Sequence, residues 1–256
     1  MRFLRYMAMG SGVAALSCAG MLAAGMTARA GESAHPDLSG VWGTYVEPGQ
    51  SSFRSFRTGV KLPLKSDAQQ KVQEYHALVT PGDDNPGKFC LGYGMPESMM
   101  FSGGYPMEIV QRPDTIFIVY EAYHETRQFD FAGKVVQPGD RVPARDGYST
   151  ARWEGDTLVV ETSSLKEQED ETWPHSADAR IVERYHLTTD AKGNKVLQND
   201  WTMYDPAFYT EPVKGVKKWA LEPKGVLLPY DCDEEGWLDH LEALRKAKNP
   251  ELPEIY

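Results

Sequence analysis

The stretch Arg152-Trp153-Glu154-Gly155-Asp156-Thr157-Leu158-Val159-Val160-Glu161-Thr162 reads as a β-hairpin. Gly155-Asp156 is a two-residue turn signal between strand-forming residues. Leaving the turn, Leu158, Val160 and Thr162 share one face, and Val159 and Glu161 the other, because side chains alternate along a strand. Working outward, the same kind of segment recurs along the chain. Strands are predicted over 38–45, 107–112, 115–121, 123–131, 149–154, 157–163, 180–189, 195–204 and 213–221. Pro113-Asp114 and the glycine-containing Asp190–Asn194 supply further turns.

Two segments depart from period two. Residues 66–79 read as a helix, with Ser66-Asp67 as cap, Gln69 at capping-box spacing and Val72, Tyr75, Leu78 and Val79 as an apolar stripe. Residues 236–248 read as a terminal amphipathic helix with Trp237, Leu241 and Leu244 on one side. Residues 81–106, rich in Gly, Pro and Met, read as an irregular loop. Many short strands without helices between them exclude a parallel α/β arrangement. They predict an all-β fold: one antiparallel β-barrel with a helix near each end of the mature chain.

Residues 1–30 carry a basic start (Arg2, Arg5), an apolar run over 13–26 and Ala28-Arg29-Ala30, an A-x-A cleavage site. A signal peptide over 1–30 and a single barrel domain over 31–256 are therefore expected, with export to the periplasm. Ala15-Leu16-Ser17-Cys18 offers a second reading, a lipoprotein box. The apolar run falls short of the about 20 residues of a membrane span. The chain has 27 Lys and Arg against 37 Asp and Glu. Removing Arg2, Arg5 and Arg29 leaves 24 − 37 = −13. So acidic a chain is a poor ligand for nucleic acid or an anionic membrane. After export two cysteines remain, Cys90 and Cys232. An even count in an oxidising compartment predicts one disulfide, worth roughly 4–5 kcal/mol in the chain-entropy model; two buried free thiols are the alternative.

Three clusters carry the candidate chemistry. In Ile181-Val182-Glu183-Arg184-Tyr185-His186-Leu187, alternation places Glu183 and Tyr185 with Ile181 and Leu187. An inward Glu183 is either a desolvated general acid or base, or the partner of a buried arginine. In Tyr120-Glu121-Ala122-Tyr123-His124-Glu125-Thr126-Arg127, an unbroken strand gives Glu121, Tyr123, Glu125 and Arg127 one parity, with His124 opposite. Arg127 suits a substrate carboxylate or phenolate, or the neutralisation of Glu121 or Glu183. His124 is a candidate base or a hydrogen-bonded surface residue. In Trp173-Pro174-His175-Ser176, His175 stands at a barrel rim, as an acid–base group or an exposed loop residue. Asp205 should form an Asx turn before Pro206. Tyr93, Phe101, Tyr105, Tyr148, Trp201, Phe208, Tyr209 and Trp219 are candidates to line an aromatic-binding cavity. The six histidines show no metal-binding spacing, and no nucleophile elbow or nucleotide-binding glycine motif is present. No cofactor is expected.

Asp37-Leu38-Ser39-Gly40-Val41-Trp42, Cys90, Glu108-Ile109-Val110-Gln111, the Trp153–Val160 block, Glu183-Arg184-Tyr185, Asp205-Pro206 and Tyr230-x-Cys232 together resemble a family of exported Gram-negative proteins. The resemblance spans nearly all of the mature chain and implies a lipocalin-like (calycin-type) β-barrel. Members more often carry His before the Ser of the strand preceding the hairpin; here Tyr148 precedes Ser149. The chain is also similar to cofactor-independent lyases acting on lignin-derived aromatic dimers, such as phenylcoumaran γ-formaldehyde lyases. The expected activity is thus a lyase or isomerase step on a small aromatic molecule. Glu183 or His175 would serve as acid and base, Arg127 would stabilise charge, and Tyr185 and Tyr105 would bond substrate. Glu121, His124, Tyr148, Trp201 and Tyr209 complete the expected binding set. A non-catalytic carrier of an apolar or aromatic ligand is the alternative, and an assembly protein docking through 81–106 and the terminal helix a third reading. A homodimer is a further expected arrangement.

Overall fold

A computed structural model describes residues 35–47, 62–79, 90–100, 104–131, 136–169, 173–230 and 235–249. Nine strands form one closed barrel in chain order: β1 (Gly40–Thr44), β2 (Met107–Gln111), β3 (Thr115–Tyr120), β4 (Thr126–Phe131), β5 (Tyr148–Glu154), β6 (Thr157–Ser163), β7 (Arg180–Thr189), β8 (Lys195–Tyr204) and β9 (Val213–Leu221). The Arg152–Thr162 hairpin is formed by β5 and β6, with Glu154 opposite Thr157 and Trp153 opposite Leu158. Gly155 takes φ +59 at the first turn position, where a II′ turn needs glycine. From His35 onward the described residues form one compact unit.

The barrel is antiparallel except at one seam. β4 and β5 run parallel, Phe129 beside Ser149 and Phe131 beside Ala151. This corrects the expectation of a wholly antiparallel meander. The reason is topological: strands cannot alternate direction all the way around a ring of odd number, so at least one neighbouring pair must be parallel. Sixteen residues, 132–147, separate the two strands, and the described part, 136–147, contains Pro138, Gly139, Pro143 and Gly147. That length meets the dozen or so residues that a parallel connection needs. With β4–β5 parallel, β1 closes on β9 antiparallel, Trp42 opposite Leu221.

The expected strand over 123–131 also starts later than predicted. β3 stops at Tyr120, and a short 3₁₀ turn, Ala122–His124, interrupts the chain before β4. Tyr123 and His124 take φ 57 and 50 there, a left-handed conformation unusual for bulky residues. Tyr123 packs edge-on against Tyr93 and Tyr230, which holds the turn in place.

Among the described residues three α-helices accompany the strands: α1 (Ser66–Leu78), the single-turn α2 (Glu97–Met100) and α3 (Glu235–Lys248). The predicted capping box does not form. Ser66 is already helical, Lys65 is the cap without a side-chain bond, and Gln69 Nε2 donates instead to the Leu64 carbonyl at 2.9 Å. α1 is tied to the barrel end where β1, β3, β6 and β8 finish, here termed the upper end. Leu64 bridges Tyr209, and Lys65 N donates to the Phe208 carbonyl at 2.7 Å. α2, within the predicted loop, sends Met99 inward, fully buried, with Asn199 Nδ2 2.8 Å from its sulfur. The side chain of Trp237 and the residues Phe101 and Cys232 lie outside the described set, and with Cys232 the expected Cys90–Cys232 pairing. No helix among the described residues is long and apolar enough to cross a membrane.

Alternation along every strand fills the barrel. Trp42, Ile109, Ile118, Phe129, Leu158, Val160, Ile181, Leu197, Trp201 and Trp219 turn inward and are buried. At about 25 cal/mol per Å² of apolar surface, an aromatic wall of this kind is the main cohesive term. Trp201 fits because its neighbour on β9 is Gly215: a methyl group there would lie 2.7 Å from the indole ring.

Candidate functional site

Polar side chains interrupt this apolar lining at one level. Arg127 (β4), Ser149 (β5), Thr162 (β6), Glu183 and Tyr185 (β7) and Asn199 (β8) all turn inward and are buried. Arg127 grips Glu183 with both terminal nitrogens: Nη1 donates to Oε1 at 3.0 Å, and Nη2 to Oε2. Nη2 also reaches Thr162 Oγ1 at 3.2 Å and Ser149 Oγ at 3.5 Å, and those two hydroxyls are 2.8 Å apart. Tyr185 Oη donates to Glu183 Oε1 at 2.5 Å, and Asn199 Nδ2 to the same oxygen at 3.3 Å. The guanidinium lies 4.8 Å from the Phe129 ring centroid. Burial opposes the charge on Arg127, but the Glu183 carboxylate and the tyrosines beside it outweigh that and hold its pKa well above the usual value. Burial, followed by the charge of Glu183, pushes the Tyr185 hydroxyl far up.

Above this pair, satisfaction of polar groups stops. Arg127 Nε, Tyr120 Oη and Asp146 Oδ1 are buried without a hydrogen-bond partner. Tyr120 lies beside the guanidinium but not in bonding geometry, and burial raises its pKa. Asp146 precedes β5 at the upper end. Burial first, and then the neighbouring charge of Glu125, pushes its carboxyl up to about 7. Glu125 is held from above: Gly94 N donates to Oε1 at 2.9 Å and Ser98 Oγ to Oε2 at 2.7 Å. Burial raises its pKa as well. Arg145 fastens the same loop, donating to the carbonyls of Gly92 at 2.9 Å and Tyr93 at 2.7 Å. The 90–100 loop and the start of β5 thus close over a half-buried pair of carboxyls with an arginine below. Such a site can hold a proton near neutral pH and steady an anionic oxygen.

The structure brings together Arg127, Glu183 and Tyr185 among the expected residues, and places the others elsewhere. His175 is fully buried rather than exposed. Its backbone exchanges two hydrogen bonds with Gln168, and Nδ1 lies 3.2 Å from the Ser176 carbonyl oxygen. Glu121 and His124 lose the expected parity because the chain turns at 122–124. Both hold the segment after β9: Leu228 N donates to Glu121 Oε2 at 2.7 Å, and Tyr230 N to His124 Nε2 at 3.0 Å. Tyr105 is 42% exposed and meets Tyr230 edge-on. Tyr148, one residue before inward Ser149, takes the outer face, where its hydroxyl accepts from Val142 N at 3.3 Å. Trp201 lies inward, edge-on to Trp173. Tyr209 donates to the Pro174 carbonyl at 2.5 Å in the upper lid. Asp205 forms the expected Asx turn, accepting from Ala207 N and Phe208 N at 3.2 Å, and also binds Ser176.

Sequence reasoning missed Asp146, Asn199 and Lys217. The last two carried a readable signal, a polar residue at core parity between Leu197 and Trp201 and between Val213 and Trp219. Asp146 lies in a loop, where no periodicity marks it. Among the described residues no group of three or more His, Cys, Asp or Glu is arranged to hold a metal ion. Comparison with family models, with curated proteins and with solved structures gives no match to this chain.

Proposed function

We propose that the chain is an exported, periplasmic lyase or isomerase. On this reading it performs cofactor-independent acid–base chemistry on a small aromatic molecule of the lignin-dimer kind. The observation that carries the reading is the trio of buried, unpartnered polar atoms: Asp146 Oδ1, Arg127 Nε and Tyr120 Oη. Polar atoms buried without a partner cost stability, and functional sites are where such costs are tolerated. Asp146 takes the role expected of Glu183. The Glu183 carboxylate is engaged by Arg127, Tyr185 and Asn199, which suits it to holding the arginine rather than to exchanging protons. In the proposed step Asp146 removes a hydroxyl proton from the substrate. Arg127 and Tyr120 steady the resulting oxyanion; its lone pair then forms a C=O bond as the adjacent carbon–carbon bond breaks, and Asp146 returns the proton to the carbon that keeps that bond's electron pair.

A carrier of an apolar ligand needs a lumen whose inward polar groups are satisfied, and here Asp146 Oδ1, Arg127 Nε and Tyr120 Oη are not. The upper rim is more open, since Asp146, Arg145 and Tyr148 are only half-buried there. The test is incubation of the mature protein with a panel of hydroxyl-bearing aromatic dimers, with products followed by mass spectrometry. Turnover is expected in the wild type, reduced by roughly 100-fold or more in Asp146→Asn, the usual scale for losing a positioned proton-transfer group. It should be little changed in His175→Ala. Absence of turnover across the panel, or an undiminished Asp146→Asn, would overturn the proposal.

A further inference from the structure

The acid–base site leaves one buried nucleophile unused. Lys217 stands at the centre of β9, turned inward between Gly215 and Trp219, and is only 1% exposed. Lysine is among the residues most rarely buried to this degree. Its amine lies 5.7 Å from the Trp219 ring centroid and 3.4 Å from Thr44 Oγ1, and Asn199 is its neighbour on β8. A second feature of the same face also points to a ligand. The Trp201 indole lies against Gly215, two residues before Lys217, and its buried N–H has no acceptor. The two groups stand on the inward faces of neighbouring strands, and between them supply what a carbonyl compound needs: an amine able to add to the carbon and an N–H able to donate to the oxygen.

We propose that Lys217 is a covalent docking point for small aldehydes, which it captures as a Schiff base inside the barrel. The nitrogen lone pair attacks the carbonyl carbon while the C=O π bond opens onto oxygen. The nitrogen loses its protons, the oxygen leaves as water, and a C=N bond remains. Burial supports the assignment, because it lowers the Lys217 pKa to about 8. Near pH 8 about half of such an amine is neutral, against well under about one per cent for an ordinary lysine. The inference stands apart from the acid–base reading, since neither Lys217 nor Trp201 belongs to that trio.

The experiment treats the folded mature protein with benzaldehyde and cyanoborohydride at pH 8. The hydride reduces the imine carbon to a stable benzyl amine, and peptide mass spectrometry locates it. Lys217 is expected to label roughly tenfold or more faster than exposed Lys192 and Lys224, following its larger neutral fraction. Trp201→Phe, which keeps the ring but removes the donor, should slow labelling at Lys217 alone. Adducts confined to exposed lysines of the wild type would overturn the proposal, with no need for a lysine variant that folds. Labelling at Lys217 without turnover of any aromatic dimer would leave this inference standing while the acid–base reading fell.

Discussion

Strands β5–β7 carry two sets of ion pairs on opposite faces. On the inside, Glu183 meets Arg127 from β4, and both side chains are completely shielded. On the outside, Arg152, Glu154, Glu161, Arg180 and Arg184 form a ladder: Arg152 bridges Glu154 and Glu161 at 2.9 Å, Arg184 reaches Glu154 at 2.8 Å and Arg180 reaches Glu161 at 3.3 Å. Glu183 and Arg184 are adjacent in sequence, so one step of a strand moves a charge from the driest place in the molecule to open water. The difference teaches that ion pairing alone says little. In water, partners exchange readily with solvent and the pairing is nearly neutral. In the core, removing one partner strands the other, while removing both can cost little.

The largest expected effect lies inside. Glu183→Ala leaves a guanidinium without its carboxylate and should lower unfolding free energy by about 3–5 kcal/mol in urea titrations. The double variant Arg127→Met with Glu183→Leu should recover a large part of that loss. If the double variant is instead less stable than either single change, the pair holds the barrel together rather than being tolerated by it. Next in size is Gly215→Ala. Its methyl group would meet the Trp201 ring at 2.7 Å. Overpacking of this kind costs about 1–3 kcal/mol. An unchanged stability would show that Trp201 can move, and with it the inner wall beside Lys217.

Much of this contrast was legible in the sequence. The alternation in Ile181–Leu187 set Glu183 and Tyr185 on the inner face and Arg184 on the outer, and four strands (β6, β7, β8 and β9) have the boundaries read from periodicity. Arg127 as a partner of Glu183 was one of two readings, and parity within β4 suffices to point it inward. The parallel seam was not legible from local patterning, because it follows from the number of strands around the ring. Nor were the roles of Glu121 and His124, since two left-handed residues at 123 and 124 undo the alternation on which their placement depended. Asp146 owes its chemistry to burial and to neighbours brought from positions 125, 127 and 183, a closeness that no spacing in the chain records.

That loop carboxyl makes the buried side of the comparison sensitive to pH. The pKa of Asp146 is raised to about 7 from an ordinary value of 3.8, so the folded state holds a proton that the unfolded chain releases. Between about pH 4 and 7 the native state therefore binds more protons, and this group's contribution to stability falls as pH rises, the opposite of a salt-bridged aspartate. Asp146→Asn mimics the protonated form and should flatten that decline in urea midpoints measured across the range. A wild-type profile parallel to the variant's would mean that Asp146 ionises freely, and the proposed proton-transfer role would lose its basis.

The smallest expected effect lies on the ladder. Glu161→Gln breaks two contacts at once, to Arg152 and to Arg180, yet its side chain is 38% exposed and both arginines are solvated. Thermal melting should be unchanged within error at moderate salt, and raising the salt should not separate variant from wild type, because exposed charges are already screened. A clear loss would show that the ladder acts as one coupled network across three strands. It would also weaken the contrast, for the outer face would then be holding β5, β6 and β7 in register alongside the side chains within.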